Sequence, residues 1–238
     1  MEPRLKQIRI ASGVGIIGNA LLALAKGILG FLAGSLAVIG DGIDSATDVL
    51  SFVIIFFALK IMAKAPDEQH PYGHHRAEAL ATLTIAFIIL FAGIQLFFIS
   101  LLKIISASQS SLPSFLAVAV SGVSIIGKLL LALYQFKVGR QTESSMLIAN
   151  GRNMLTDIFV SLGVLLGTLL TIMLRIPFID HLVAMLIGLW IVRTAIHIFL
   201  DANTELMDGV KDTSIYQEVF AAVSQVKQVS NPHRTRIR

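Results

Sequence analysis

The 238-residue sequence contains no cysteine, which excludes disulfides, thiolate metal sites and thiol redox chemistry. Charge is nearly as scarce. Asp, Glu, Lys and Arg make up 14% of the chain, against about 25% in a soluble domain. Also missing are an H-E-x-x-H motif and any evident nucleophile–base pair, so no hydrolytic signature is present. What the chain has in excess is apolar side chain: 55% of residues are hydrophobic and the mean hydropathy is +0.79. This balance excludes a water-soluble enzyme. It also argues against nucleic acid as a partner, despite an isoelectric point near 9.5. The formal net charge of +4 reflects orientation in a lipid bilayer. No cleavable signal peptide is expected, because the first apolar run is too long and a second follows directly.

Six apolar runs are each long enough to span a bilayer, near 10–33, 36–59, 77–105, 112–136, 145–174 and 178–201. Arg4, Lys6, Arg9, Lys60, Lys64, Arg76, Lys137 and Arg140 all fall on one side of such an arrangement, and only Lys103 and Arg175 fall on the other. The positive-inside rule places both termini in the cytoplasm. Beyond the sixth run, Ile215, Val219, Val223 and Val226 recur at helical spacing, and Asn231-Pro232 breaks the pattern. One helix and half a strand cannot bury a core of their own. The expected architecture is an all-α polytopic membrane protein. Residues 1–207 are expected to form a six-helix transmembrane domain, and residues 208–238 to be the start of a truncated cytoplasmic domain.

The functional signal lies in ionisable groups at membrane depth, where a carboxylate costs roughly 2.5–3.5 kcal/mol on insertion scales and therefore faces an interior site. The second run carries Asp41, Asp44 and Asp48 on one helical face, and the fifth carries Asn153 and Asp157 four apart. Asp48 lies 12 residues before Lys60 and Asp157 lies 12 residues after Ser145, so both sit about 18 Å deep. Asp44, Asp48, Asn153 and Asp157 then offer three carboxylates and an amide oxygen at one level, a set suited to a dehydrated divalent cation. The competing reading is helix packing, or ion pairing with Lys26, Lys128 or Arg152. Asp41 sits nearer the outer end and is a candidate outer partner rather than a ligand. Asp180 and His181, at the outer interface, read as helix-capping groups.

A second cluster lies between the second and third runs, in Asp67-Glu-Gln-His-Pro-Tyr-Gly-His-His-Arg-Ala-Glu78. Asp67, His70 and His74 could close on one metal in a bent loop, with Gly73 allowing the turn. The bland alternative is a solvated polar loop. Glu78 is a second candidate outer partner.

Asp-x-x-x-Asp in the second run, His-Pro-Tyr-Gly-His with a following Glu, and polar-x-x-x-Asp in the fifth run resemble the cation diffusion facilitator family. The match runs in order across all six runs, and Leu206-Met207-Asp208 also fits. The resemblance implies a homodimeric metal/proton antiporter of the plasma (inner) membrane, exporting divalent transition metals from the cytoplasm by alternating access. It implies a transport site at Asp44, Asp48, Asn153 and Asp157, a loop site at Asp67, His70 and His74, and a lock between Arg76 and Asp208. Zinc transporters of the family commonly have His where this chain has Asn153, so the metal stays open among Zn²⁺, Mn²⁺ and Fe²⁺. The metal is substrate, with a structural role at the loop left open, and no cofactor is expected. Two other readings stand beside this one: a membrane-embedded metalloenzyme using the histidine loop, and a metal-binding membrane protein that does not transport.

Overall fold

The computed structural model describes residues 2–62, 64, 67, 71, 73, 74, 76–106, 112–207, 209 and 214–226, with side chains described for all of these except 2–5, 51, 52, 54–60 and 62. Among the described residues every regular element is a helix: α1 (Glu2–Ala33), α2 (Leu36–Met62), α3 (Ala77–Ile105), α4 (Phe115–Gln141), α5 (Ser145–Leu174), α6 (Phe178–Leu206) and α7 (Ser214–Ser224). Five of them, α1, α3, α4, α5 and α6, are long and apolar enough to cross a membrane. The remaining long helix, α2, has 27 residues and carries Asp41, Asp44 and Asp48.

Burial runs opposite to that of a soluble protein. Phe31, Phe91, Phe115, Phe159 and Met173 are more than 60% exposed, whereas Lys26, Lys128 and Gln135 are completely buried. Large apolar side chains facing outward around buried polar ones require an apolar solvent. The chain is a multi-pass integral membrane protein.

The helices pack mainly as α3 on α6, α4 on α5 and α1 on both α2 and α4, with α2 touching α3, α5 and α6 as well. Small residues make the closest approaches. At the α3–α6 crossing a Cβ on Gly188 would lie 2.8 Å from the Phe97 backbone nitrogen, and one on Gly93 would lie 2.9 Å from Ile191. Close backbone approach of this kind is the main route to helix association where lipid is as apolar as the side chains. The apolar core gathers Val38, Ile85, Ile89, Leu96, Val164 and Ile191 from α2, α3, α5 and α6.

The start of α2 is fixed from a distant helix. Gly34 turns the chain at φ 71°, a conformation favourable to glycine. Ser35 Oγ then accepts from the Val38 N–H at 3.2 Å, the usual N-cap bond. The carboxylate of Asp180 on α6 accepts from the Ser35 hydroxyl at 2.6 Å and from the Leu36 and Ala37 N–H groups at 2.8 and 3.4 Å. Asp180 is thus a capping group, as its position suggests, but the helix it caps is α2. An anion there also complements the α2 dipole. Asp180→Ala strips one acceptor from three donors at a buried position. It is expected to lower stability by about 1–3 kcal/mol, read as a lower thermal midpoint in detergent, with Asp180→Asn retaining part of the loss.

Candidate metal-transport site

Two ion pairs lie side by side in the middle of the bundle, and each joins an acidic helix to a lysine of a neighbour. In the first, Lys26 of α1 sits 2.8 Å from Asp41 of α2. The same ammonium donates to Ser45 Oγ at 3.1 Å and to Ser161 Oγ at 2.9 Å, and the Ser161 hydroxyl donates to Asp41 at 2.8 Å. Two hydroxyls and one carboxylate thus hold the Lys26 ammonium. The network ties α1, α2 and α5 together and is nearly sealed from the surface, with Lys26 0% and Asp41 1% exposed.

In the second pair, Lys128 of α4 donates to Asp157 of α5 at 2.7 Å and lies 3.9 Å from Asp48 of α2. The Asp48 and Asp157 carboxyl groups thus face the same ammonium. Asp44 lies three residues after Asp41 and four before Asp48 on α2, within the electrostatic influence of Asp157, Lys128, Asp41 and Lys26. Four carboxylates therefore face two ammonium groups, which leaves a formal excess of two negative charges. Antiparallel packing of neighbouring helices sets the common level. Lys128 is thirteen residues before the end of α4, and Asp157 is twelve residues after the start of α5.

Of the four residues expected at the transport site, the structure brings Asp48 and Asp157 onto the Lys128 ammonium, and Asp44 lies one turn before Asp48 on α2. Asn153 lies one turn before Asp157 on α5 and is exposed. Among the described residues no group of three or more His, Asp or Glu side chains is drawn together closely enough to hold a metal ion. The ammonium of Lys128 takes the place between Asp48 and Asp157. The ion-pairing alternative is thus realised for Lys26 and Lys128, while Arg152 is exposed. The sequence pattern offers these lysines as ion-pairing competitors of the site, and their spacing already signals where they lie. Lys26 lies eight residues before Gly34 and Asp41 seven after it, which puts both at one depth across a short turn.

The loop before α3 is partly described. His74 Nε2 lies 3.7 Å from Asp67 Oδ2, with Asp67 53% exposed. Gly73 adopts φ 82°, so the turn expected there is present. His70, the third member of the expected loop set, lies outside the described residues. Glu78 sits in the first turn of α3, where a negative charge favours the helix N-terminus. Arg76 donates from Nη1 to the carbonyl oxygens of Glu205 and Leu206, satisfying groups that the end of α6 would otherwise leave open. Asp208, the expected partner of Arg76, lies outside the described residues, but the contact brings Arg76 to the segment that immediately precedes it.

Residues 13–207 match the cation efflux transmembrane domain. The chain belongs to the cation diffusion facilitator family. It is 32% identical over 229 residues to the manganese efflux system protein MneS of Bacillus subtilis, covering 95% of this chain and 78% of that protein. It is 31% identical over 211 residues to the magnetosome protein MamB of Magnetospira sp. strain QH-2, covering 89% and 71%. Metal tolerance protein 2 of rice is 26% identical over 249 residues, covering 94% of this chain and 64% of that protein. A cation diffusion facilitator moves metal cations and does not transform them. The buried acidic site is therefore part of an efflux transporter, and the metalloenzyme reading is set aside.

Proposed function

We propose that this facilitator exports a divalent transition metal from the cytoplasm in exchange for protons, with Mn²⁺ the favoured substrate. The observation that carries the reading is the pair of uncompensated negative charges around Asp44, Asp48 and Asp157. One divalent cation or two protons neutralises them. The donors expected there, three carboxylates and the Asn153 amide, are all oxygen, which suits Mn²⁺ better than it suits Zn²⁺. Two Bacillus subtilis relatives carry manganese efflux in their names. Metal and proton compete for the same oxygens, because a ligand must lose its proton to bind. Alternating access then exposes the site to the two sides in turn.

Six spanning helices, α1 to α6, put the Lys- and Arg-rich connectors on one side, so both termini are cytoplasmic in the plasma membrane. Asp67, His70 and His74 form a second, loop-borne metal site at that surface. Arg76, close to the end of α6, locks to Asp208. The exposed Ile215 and Phe220 of α7 supply an apolar stripe for a second copy, giving a homodimer. Residues 208–238 make up the cytoplasmic segment.

The deciding experiment is flux into proteoliposomes with Mn²⁺, Fe²⁺ and Zn²⁺ supplied in turn, with and without an imposed pH gradient. Mn²⁺ should move uphill when the opposite compartment is acid, and a protonophore should collapse the movement. Metal movement indifferent to the gradient would remove proton exchange from the mechanism. No movement of any of the three ions would leave a binding protein that does not transport.

A further inference from the structure

The two buried lysines are held differently, and the difference has a functional reading. Lys26 donates to Ser45 and Ser161 and pairs ionically with Asp41, so its ammonium is held on three sides by residues outside the expected metal-ligand set. Lys128 is equally buried, yet among the described residues it has one hydrogen bond, to Asp157, and one longer ionic contact, to Asp48. Both of its partners are expected metal ligands. A divalent ion coordinated by those two carboxylates would lie about 2–2.5 Å from their oxygens, the region the ammonium fills. The two cations cannot share it.

We propose that Lys128 is a tethered counter-cation that competes with the metal for Asp48 and Asp157. It covers their charge in the metal-free transporter and swings aside on its four-carbon stem when metal binds. The inference rests on assigning Asp48 and Asp157 to the transport site and adds a residue that sets its affinity. Lys26 is the structural counterpart, fixed by its serines, and Lys128 is the movable one. Two consequences follow for transport. The metal sees a site already occupied by a cation, so its apparent affinity is reduced by the fraction of sites holding the ammonium. When the metal leaves, the ammonium returns, and the bundle can reset without two bare carboxylates in its interior.

The test is calorimetric titration of the whole chain in detergent with Mn²⁺. Lys128→Met removes the competitor at similar volume, and Kd should fall about tenfold if the ammonium occupies most metal-free sites. Lys128→Arg substitutes a planar group that grips a carboxylate through two parallel bonds, and Kd should rise about tenfold. Destabilisation of the fold does not produce a gain in affinity, so the Met variant separates competition from a packing role. Binding by the Met variant no tighter than wild type overturns the proposal. Should that variant fail to fold, the Arg variant decides, and a Kd equal to or below wild type overturns it. Asp48→Ala is titrated in parallel. Wild-type binding there removes the site assignment itself, a result distinct from either lysine outcome.

Discussion

Asp48→Ala is expected to abolish metal flux in proteoliposomes while the protein still elutes as a folded species. The carboxylate of Asp48 is 3.9 Å from Lys128, whereas Asp157 is at 2.7 Å, so truncating Asp48 leaves the tighter ion pair intact. The bundle keeps its buried charge compensated and loses one ligand. Metal affinity should drop by at least the roughly 10–100-fold that loss of an outer partner already costs. Asp157 needs a different substitution. Asp157→Ala would strand a completely buried ammonium, and breaking a buried pair in this way costs about 3–5 kcal/mol. Asp157→Asn keeps the shape and a hydrogen-bond acceptor for Lys128 while deleting the charge. It should abolish flux with a smaller loss of stability. Wild-type flux in either folded variant would end the assignment of these carboxylates to transport.

The helices were legible because hydropathy reports membrane solvation directly. The apolar runs at 36–59, 77–105 and 145–174 became helices at Leu36–Met62, Ala77–Ile105 and Ser145–Leu174. The largest differences lie where a helix continues past its apolar stretch into polar residues, at the start of α1 and the ends of α4 and α6. There hydrogen bonding, not hydropathy, sets the limit. The acidic level was legible for the same reason, since a carboxylate at membrane depth is rare enough to be informative alone. What the pattern could not assign was the partner of each acid. Whether Lys26 meets Asp41 or Asp44 is decided by helix rotation and by the hydroxyls of Ser45 and Ser161. Those serines look unremarkable in a chain rich in small residues. Asp180 shows the same limit. Its capping chemistry could be read locally, but its target, α2, is 145 residues away from it at Ser35 and is chosen by tertiary packing.

Asn153→His is expected to move selectivity toward Zn²⁺ and away from Mn²⁺. The substitution replaces an amide oxygen with an imidazole nitrogen one turn from Asp157, and nitrogen donors favour the later transition metals. Asn153 is exposed on α5, so an imidazole fits without repacking the core, and the folded bundle should be unaffected. The change should appear as a shift of roughly tenfold in the Zn²⁺/Mn²⁺ flux ratio, the low end of what one altered coordination partner costs. A second signature separates a ligand from a bystander. Histidine titrates near neutral pH, and a protonated imidazole cannot hold metal. Flux through the variant should therefore fall as cytoplasmic-side pH drops through the histidine range, where wild type, lacking that group, changes less. An unchanged metal ratio with an unchanged pH profile would place Asn153 outside the transport site and leave its coordination to Asp44, Asp48 and Asp157 alone.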